Sequence, residues 1–453
     1  MRVLLVDPMA GAGSLPLEAR RKLRGGLGYP GLGLYTVAAL TPPDVEVRVV
    51  DEAVEDIPPD FTPDLVGISV QAPTAPHAYA LSARFRAAGI PVVLGGIHVS
   101  LNPDEALKHS HAIVTGEAEL TWPRLMGDFR RGTLDRAYRA EGHADLDASP
   151  PPRRDLMRAD HRHTPCVIQA SKGCPFACEF CSLFASVGQK SRFRRVDRVA
   201  AEIRSLPGDP VLFVDDNIYA DAAFAKQLFR TLAPLRRRWV AESTWHIAFD
   251  DEALGLARDS GCLGLFVGFD SINRQPGVRK VPGSGDPEET YVKAIRNIVD
   301  NGIACVAAFV FGLDSDDSSV FERTLNVIRG GSANLACFSV LVPYPGTPVF
   351  RRLRQEERIT EWDWSRYVSP NVCFQPKRMS AGALYEGTLW AQKEFLSLGS
   401  VATTAARTGL QLGWGRALMT LKLNLAQRRN WPFGTFGAAQ PGGGEDGPDT
   451  GCA

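Results

Sequence analysis

Short apolar runs and amphipathic stretches take turns along the first 140 or so residues. Val3 to Val6, Val45 to Val50, Leu65 to Val70, Pro91 to Leu94 and Ile113-Val114 predict five short strands. Between the third and fourth, Ala78, Leu81, Phe85 and Ala88 fall at helical spacing, and Gly89 ends the helix. Strands alternating with helices imply an α/β domain with a doubly wound, Rossmann-like parallel sheet over residues 1–140. Its ligand crevice lies at the carboxyl ends of the strands.

Residues 141–165 read as a connector, because Ser149-Pro150-Pro151-Pro152-Arg153-Arg154 is stiff and extended and cannot pair in a sheet. A second alternating pattern fills 166–350. Strands are predicted at Cys166 to Ala170, Val211 to Val214, Trp239 to Thr244, Leu263 to Val267, Ala304 to Phe311 and Leu335 to Val342. Helices are predicted through Val196, Val199, Ala200 and Ile203, over Ala222 to Leu235, and over Glu289 to Asn301. Six such units predict a partial (βα)6 barrel of the TIM type, open on one side, with its site at the strands' carboxyl ends.

Residues 351–437 read as a mostly helical C-terminal domain, rich in aromatics: Trp362, Trp364, Tyr367, Tyr385 and Trp390. Aromatics at helical spacing point first to a core. Leu410 to Leu425 is apolar, with Arg416, Lys422, Arg428 and Arg429 in or near it. It reads as a helix docked on the protein, with peripheral contact to a membrane surface as the alternative. Residues 438–453 are rich in Gly, Pro and acid, which predicts a disordered tail.

Composition changes this picture little. Lys plus Arg equals Asp plus Glu at 51 each, so no overall field favours nucleic acid. Met1 to Asp7 reads as a strand and not a signal peptide, and no apolar stretch reaches the length of a membrane span, so a cytoplasmic protein is expected.

The candidate chemistry lies in Lys172-Gly173-Cys174-Pro175-Phe176-Ala177-Cys178-Glu179-Phe180-Cys181. Three thiolates spaced C-x3-C-x2-C can hold three corners of a [4Fe–4S] cubane and leave one iron open to a ligand. A structural zinc site would need a second pair of ligands near by. His161 and His163 are the closest candidates and read as loop residues. The total of nine cysteines is odd, and Cys166, Cys262, Cys305, Cys337 and Cys373 read as small buried hydrophobes.

At this motif the chain resembles the radical S-adenosylmethionine enzymes. The resemblance implies that Cys174, Cys178 and Cys181 bind the cluster and that the open iron binds S-adenosylmethionine. Reductive cleavage then yields a 5′-deoxyadenosyl radical that abstracts a hydrogen atom. It places Phe180 near the adenine and the loop Asp215-Asp216-Asn217 at the methionine amino group, although Asp216 also suits a helix N-cap. Gly268-Phe269-Asp270-Ser271 resembles the family's Gly-Phe-Glu-Ser, implying that Asp270 and Ser271 contact the ribose or carboxylate, with a reach one methylene shorter. Gly312 is implied to let adenine approach, and Pro343 to Pro348 to lie near the substrate.

Upstream, the strand-end loops are Ser69 to Thr74, Gly95-Gly96-Ile97-His98 and Gly116-Glu117-Ala118-Glu119. Taken alone, their glycines suit tight turns as well as a ligand. Together with Tyr29-Pro30-Gly31-Leu32-Gly33-Leu34, they resemble the cobalamin-binding domain of one large branch of the same family. Ser69, Gln71, Thr74, Gly95, Gly96, His98, Gly116 and Glu117 are the implied cobalamin contacts. No D-x-H-x-x-G motif is present, so a histidine ligand below cobalt is not expected, and His98 reads as a polar loop residue. Trp362-Asp363-Trp364, Pro376 to Ser380 and the helix through Trp390 to Phe395 are similar to the subgroup that includes the hopanoid 2-methylases.

The resemblance implies methylation of an unactivated carbon on a small-molecule or lipid substrate, with a polycyclic lipid suggested by the subgroup and electrons from a flavodoxin or ferredoxin. A non-methylating cyclisation, ring rearrangement or oxidation is the first alternative. An iron–sulfur redox or sensor protein is the second, and Cys166 would be its only nearby fourth ligand.

Overall fold

The computed structural model describes residues 1–10, 15–24, 30–157, 166–273 and 285–429. Tyr29, His161, His163 and the 438–453 tail lie outside the described residues.

The N-terminal sheet consists of β1 (Arg2–Asp7), β2 (Glu46–Asp51), β3 (Leu65–Ser69), β4 (Val92–Gly95), β5 (Ala112–Thr115) and β6 (Ala137–Arg139). All six are parallel, in the order β2-β1-β3-β4-β5-β6. The central strand is apolar on both faces, Val3 to Val6 being buried throughout, as a sheet covered by helices on both sides requires. The sixth strand has no apolar run to announce it. It is three residues long and pairs with β5, while the hydroxyl of buried Tyr138 donates to Asp128 (2.9 Å).

The second unit begins with β7 (Cys166–Ile168), followed by a hairpin of β8 (Ser171–Lys172) and β9 (Arg192–Phe193). It continues through β10 (Val211–Phe213), β11 (Trp239–Thr244), β12 (Cys262–Asp270), β13 (Ala304–Phe311) and β14 (Leu335–Val340). The main sheet is parallel and its strands follow chain order, β7-β10-β11-β12-β13-β14, the open form of a barrel. The first strand ends before the predicted Ala170 because the amides of Ala170 and Ser171 turn to the carboxylate of Asp215. On β13, Cys305, Ala307, Phe309 and Phe311 are buried in the core that the outer helices cover. The alternate residues Val306, Ala308 and Val310 are half-buried on the inner, concave face.

The connector is strapped down at its described end. Arg153 donates its amide to Tyr35 O (3.0 Å), and Arg154 donates to Val167 O (2.8 Å) and pairs with Glu202 (2.7 Å), so it touches both sheets' domains. The stretch Leu410 to Leu425 is not one helix: Leu398–Leu412 and Trp414–Arg429 are separate helices broken at Gly413, which has φ 90°. The C-terminal aromatics divide. Tyr367 is core, Trp362, Tyr385 and Trp390 are exposed, and Trp364 reaches back to the first domain.

There Trp364 Nε1 donates to both oxygens of Glu105 (2.9 and 3.1 Å), and Asn102 Nδ2 donates to the same carboxylate (2.6 Å). Burial opposes ionisation, but the neighbouring His98 and Tyr79 and the hydrogen bond from Trp364 outweigh it and hold the Glu105 carboxyl down at about 2. A carboxyl depressed in the folded state stabilises the fold above its ordinary value of 4.5 and loses that contribution as pH falls towards 2. Glu105→Gln should therefore lower the Tm at neutral pH, and the deficit should shrink as the pH of the melt is taken below 4.5.

Candidate active site

The cluster loop leaves β8 through Gly173, whose φ is 92° and whose position would drive a Cβ to 2.4 Å from Lys190 O. Only glycine makes that turn without displacing the hairpin. Beyond it, Cys178 is buried and Cys174 and Cys181 are half-buried. Burial pushes the Cys181 thiol up, with Cys174 and Asp216 adding to the shift, although backbone hydrogen bonds oppose it. Among the described residues no three His, Cys, Asp or Glu side chains close on a single metal ion. Three neighbouring thiols on one loop are nonetheless, by their chemistry, the donor set of an iron–sulfur centre and fit it. Phe176 stacks on His246 (4.8 Å), which stacks on Trp245 (3.9 Å), while Glu179 pairs with Arg352 (2.8 Å).

Two adjacent carboxylates after β10 hold this loop. Asp215 is fully buried and accepts from the amides of Ala170 (3.1 Å) and Ser171 and from Ser171 Oγ (2.6 Å). Burial pushes it up to about 7 against those hydrogen bonds. Asp216 accepts from the Gly173 amide (2.6 Å), and burial raises it as well. Asn217 Oδ1 accepts from the amides of Tyr219 (3.1 Å) and Thr244 (3.3 Å), leaving its buried Nδ2 unpaired among the described residues. The Asp215 carboxylate thus braces the backbone that carries the cysteines. Asp216 and the orphaned Asn217 Nδ2 are the groups of this loop still able to meet a ligand.

The far strand ends are also engaged. Asp270 adopts φ 65° at an irregularity where β12 meets β13, and is buried. Ser271 donates to Asp316 (3.4 Å), which also accepts from Asn273 (2.8 Å) and from the amides of Gly312 and Leu313 (3.0 Å each). Ser271 belongs to this turn-building network, and Asp316, its centre, was not anticipated. At Gly312, with φ 96°, a Cβ would meet Leu384 at 2.6 Å and Phe374 at 3.2 Å. The close approach that demands glycine here is made by the C-terminal region. Phe180 packs half-buried against the barrel core.

In the first domain the strand-end loops present Gln71, Gly96 and Gly116 at the surface, with Ser69, Thr74 and Gly95 half-buried beside them. Thr74 caps its own turn, accepting from the Gln71 amide (3.1 Å). A Cβ on Gly96 (φ 95°) would strike Val70 backbone at 2.7 Å, and one on Gly116 (φ 76°) would meet Ala140 at 2.9 Å. Both glycines are thus required by the chain's own packing, and the loops they shape end exposed at the carboxyl ends of the strands, a rim where a broad planar ligand such as a corrin ring can approach, so the residues present fit cobalamin.

Two implied contacts have other duties. His98 has a completely buried side chain, edge-on to Trp364 (5.5 Å) and 3.8 Å from Glu105, so it faces the C-terminal segment and not the rim. Glu117 is buried and accepts from Arg192 Nη1 (2.8 Å), Arg192 Nη2 and the Ala144 amide (2.7 Å), with Lys172 Nζ at 3.5 Å. Arg192 and Lys172 belong to the hairpin around the cysteines. Helix Ile97–Leu101 also packs on helix Ser182–Val187, which follows Cys181, and Gly346 abuts Leu101. The carboxyl ends of the two sheets therefore face each other with the cysteine loop between them.

On the concave face, Leu212, Val240, Phe266, Val306, Val310 and Cys337 make an apolar wall. Glu242 interrupts it. Its carboxyl meets water in the lumen yet is ringed by protein, and burial together with Asp216 pushes it up to about 7. No motif marked Glu242, Arg192 or His246; the alternation along β11 was the one signal that could have placed Glu242 on the inner face.

The Glu117–Arg192 pair is the joint on which this arrangement turns. Arg192→Ala should destabilise the protein by roughly 3 kcal/mol in chemical denaturation, since it strips a buried carboxylate of its principal partner. Gly173→Ala should lower the iron retained per chain after anaerobic reconstitution while leaving the far-UV circular dichroism unchanged.

Comparison with known proteins agrees with this geometry. A radical SAM superfamily model matches residues 168–328, and a B12 binding domain model matches residues 29–126. The chain is 31% identical over 376 residues to bacteriochlorophyllide d C-12(1)-methyltransferase of Chlorobaculum tepidum, covering 80% of this chain and 82% of that one. It is 26% identical over 349 residues to hopanoid C-2 methylase of Rhodopseudomonas palustris, covering 74% and 66%. The fold is shared with the radical S-adenosylmethionine methyltransferase TsrM of Kitasatospora setae, solved with cobalamin and a [4Fe–4S] cluster bound. That match has a TM-score of 0.59 at 19% identity over 86% of this chain and 81% of that one. The chain belongs to the cobalamin-binding methyltransferases of the radical S-adenosylmethionine superfamily, with a [4Fe–4S] cluster, S-adenosylmethionine and cobalamin as its cofactors.

Proposed function

We propose that this enzyme methylates an unactivated carbon of a large, mainly apolar polycyclic substrate, of the tetrapyrrole or hopanoid kind on which the relatives are named as acting. The observation that carries the reading is the apposition of two parallel sheets, carboxyl end to carboxyl end, with the cysteine loop between them and an apolar concave wall beyond. When bound, the cluster and S-adenosylmethionine supply a hydrogen-abstracting 5′-deoxyadenosyl radical, and cobalamin supplies the methyl group.

On this reading Cys174, Cys178 and Cys181 hold the cluster, and Asp215 and Asp216 keep their loop in register. Asp216, Asn217 Nδ2, Phe180 and Asp270 border the S-adenosylmethionine site. Gln71, Ser69, Thr74, Gly95, Gly96 and Gly116 border the cobalamin rim. Leu212, Val240, Phe266, Val306 and Val310 exclude water from the reacting carbon and receive the flat face of the substrate. Electrons reach the cluster from a flavodoxin or ferredoxin-type donor.

Anaerobically reconstituted protein should form 5′-deoxyadenosine from S-adenosylmethionine and reductant, and Cys178→Ala should abolish it. Protein produced with cobalamin should retain a corrinoid absorbance through gel filtration. Supplied with tetrapyrrole or hopanoid acceptors, it should add one methyl group. Formation of 5′-deoxyadenosine with a cyclised or oxidised product and no methyl gain would overturn the methyltransferase reading.

A further inference from the structure

The last of the described helices, Trp414–Arg429, is mounted inside out. Its buried positions are Ala417, Thr420, Asn424 and Gln427, three of them polar. Asn424 Nδ2 donates to Asn334 O (3.1 Å) and Gln427 Nε2 to Ala336 O (2.9 Å). Both acceptors belong to β14 or the residue before it, and β14 is an edge of the barrel sheet. The helix thus satisfies carbonyl groups that an open edge leaves bare, a device against edge-to-edge pairing. Asn334 in turn donates to Thr408 (2.9 Å) of the preceding helix.

The cost of that arrangement appears on the other face. Leu410, at the end of the preceding helix, is 83% exposed, and on the last described helix Trp414 is 71%, Met419 58%, Leu418 52% and Leu425 41% exposed, with Trp414, Leu418 and Leu425 on one stripe. Several large apolar side chains turned to solvent on one helical pair mark an interaction surface. Charge selects its occupant. Residues 398–429 contain five basic residues, Arg407, Arg416, Lys422, Arg428 and Arg429, and no acid, in a chain whose formal net charge is zero. Lys422, Arg428 and Arg429 are exposed on the same helix as the stripe. A second copy meeting this face about a two-fold axis would oppose like charges. An anionic lipid surface takes up both the apolar row and the cations. The described residues contain no helix long and apolar enough to cross a membrane. The contact would therefore lie in the plane of the surface.

We propose that the helical pair Leu398–Leu412 and Trp414–Arg429 docks the enzyme on anionic lipid bilayers through Leu410, Trp414, Leu418, Met419 and Leu425. The inference goes beyond the methylation reading and stands whether or not the substrate is a lipid. The test is co-sedimentation of the full-length holoenzyme with phosphatidylcholine vesicles and with the same vesicles doped with phosphatidylglycerol. The doped vesicles should bind the protein, high salt should weaken the binding, and Leu418→Glu with Leu425→Glu should reduce it at least about tenfold. The double variant should keep its far-UV circular dichroism and its formation of 5′-deoxyadenosine, which separates lost docking from lost folding. Three outcomes would overturn the proposal: no binding to doped vesicles; equal binding by the double variant; or binding only after removal of residues 430–453, which would make that segment the occupant. A dimer in light scattering that the double variant dissociates, without vesicle binding, would assign the face to a second copy.

Discussion

Glu117 and Arg192 meet in a buried pocket between two sheets that have no strand in common. The carboxylate comes from the turn after β5 of the first domain, and the guanidinium from the hairpin that delivers the cysteines. A bidentate pair of this kind fixes angle as well as distance. It is also intolerant of loss, because either group alone would be a buried charge. With Lys172 and the Ala144 amide on the same carboxylate, the first domain cannot tilt away without uncovering several donors at once. Trp364 on Glu105 and Gly346 against Leu101 close the seam at other points. The gap between the strand ends is thereby held to a defined shape.

Within the barrel, buried carboxylates shape loops in the same manner. Asp215 gathers the end of β7, Asp216 the glycine before the first cysteine, and Asp316 the turn after β13. Each accepts from backbone amides that the end of a strand leaves unpaired. Asp216, the Asn217 amide and Glu242 are left against an apolar wall. An apolar wall with few polar groups suits chemistry in which a reactive radical must meet the substrate carbon and little else.

The legible part of the fold was the part with local periodicity. Five N-terminal strands and six barrel strands appear where apolar runs predicted them, because a strand buried on both faces must be apolar along its length. Strand β6 carried no such run and forms only because β5 offers an edge. The single helix expected at Leu410 to Leu425 is divided, since Gly413 turns the chain at a positive φ. For the site, the cysteine spacing located the cluster loop directly, because loop ligands lie close in sequence. His98, Glu117, Ser271 and Gly312 were found as polar or glycine residues at strand ends, yet each meets a partner far away in the chain. Arg192 and Trp364 are those partners for Glu117 and His98, Asp316 for Ser271 and Leu384 for Gly312.

Amino-acid order alone determined that this chain has three neighbouring thiols for one cluster, two parallel sheets in succession and loops at their carboxyl ends. Those are short-range properties, written in spacing and hydrophobic period. Tertiary structure alone decided which strand-end residues look into the shared gap and which are consumed in bracing it. It also decided that the last helix would bury its amides and expose its leucines. A hydrogen bond or an ion pair across domains depends on where two distant segments come to rest, and no local pattern encodes that distance.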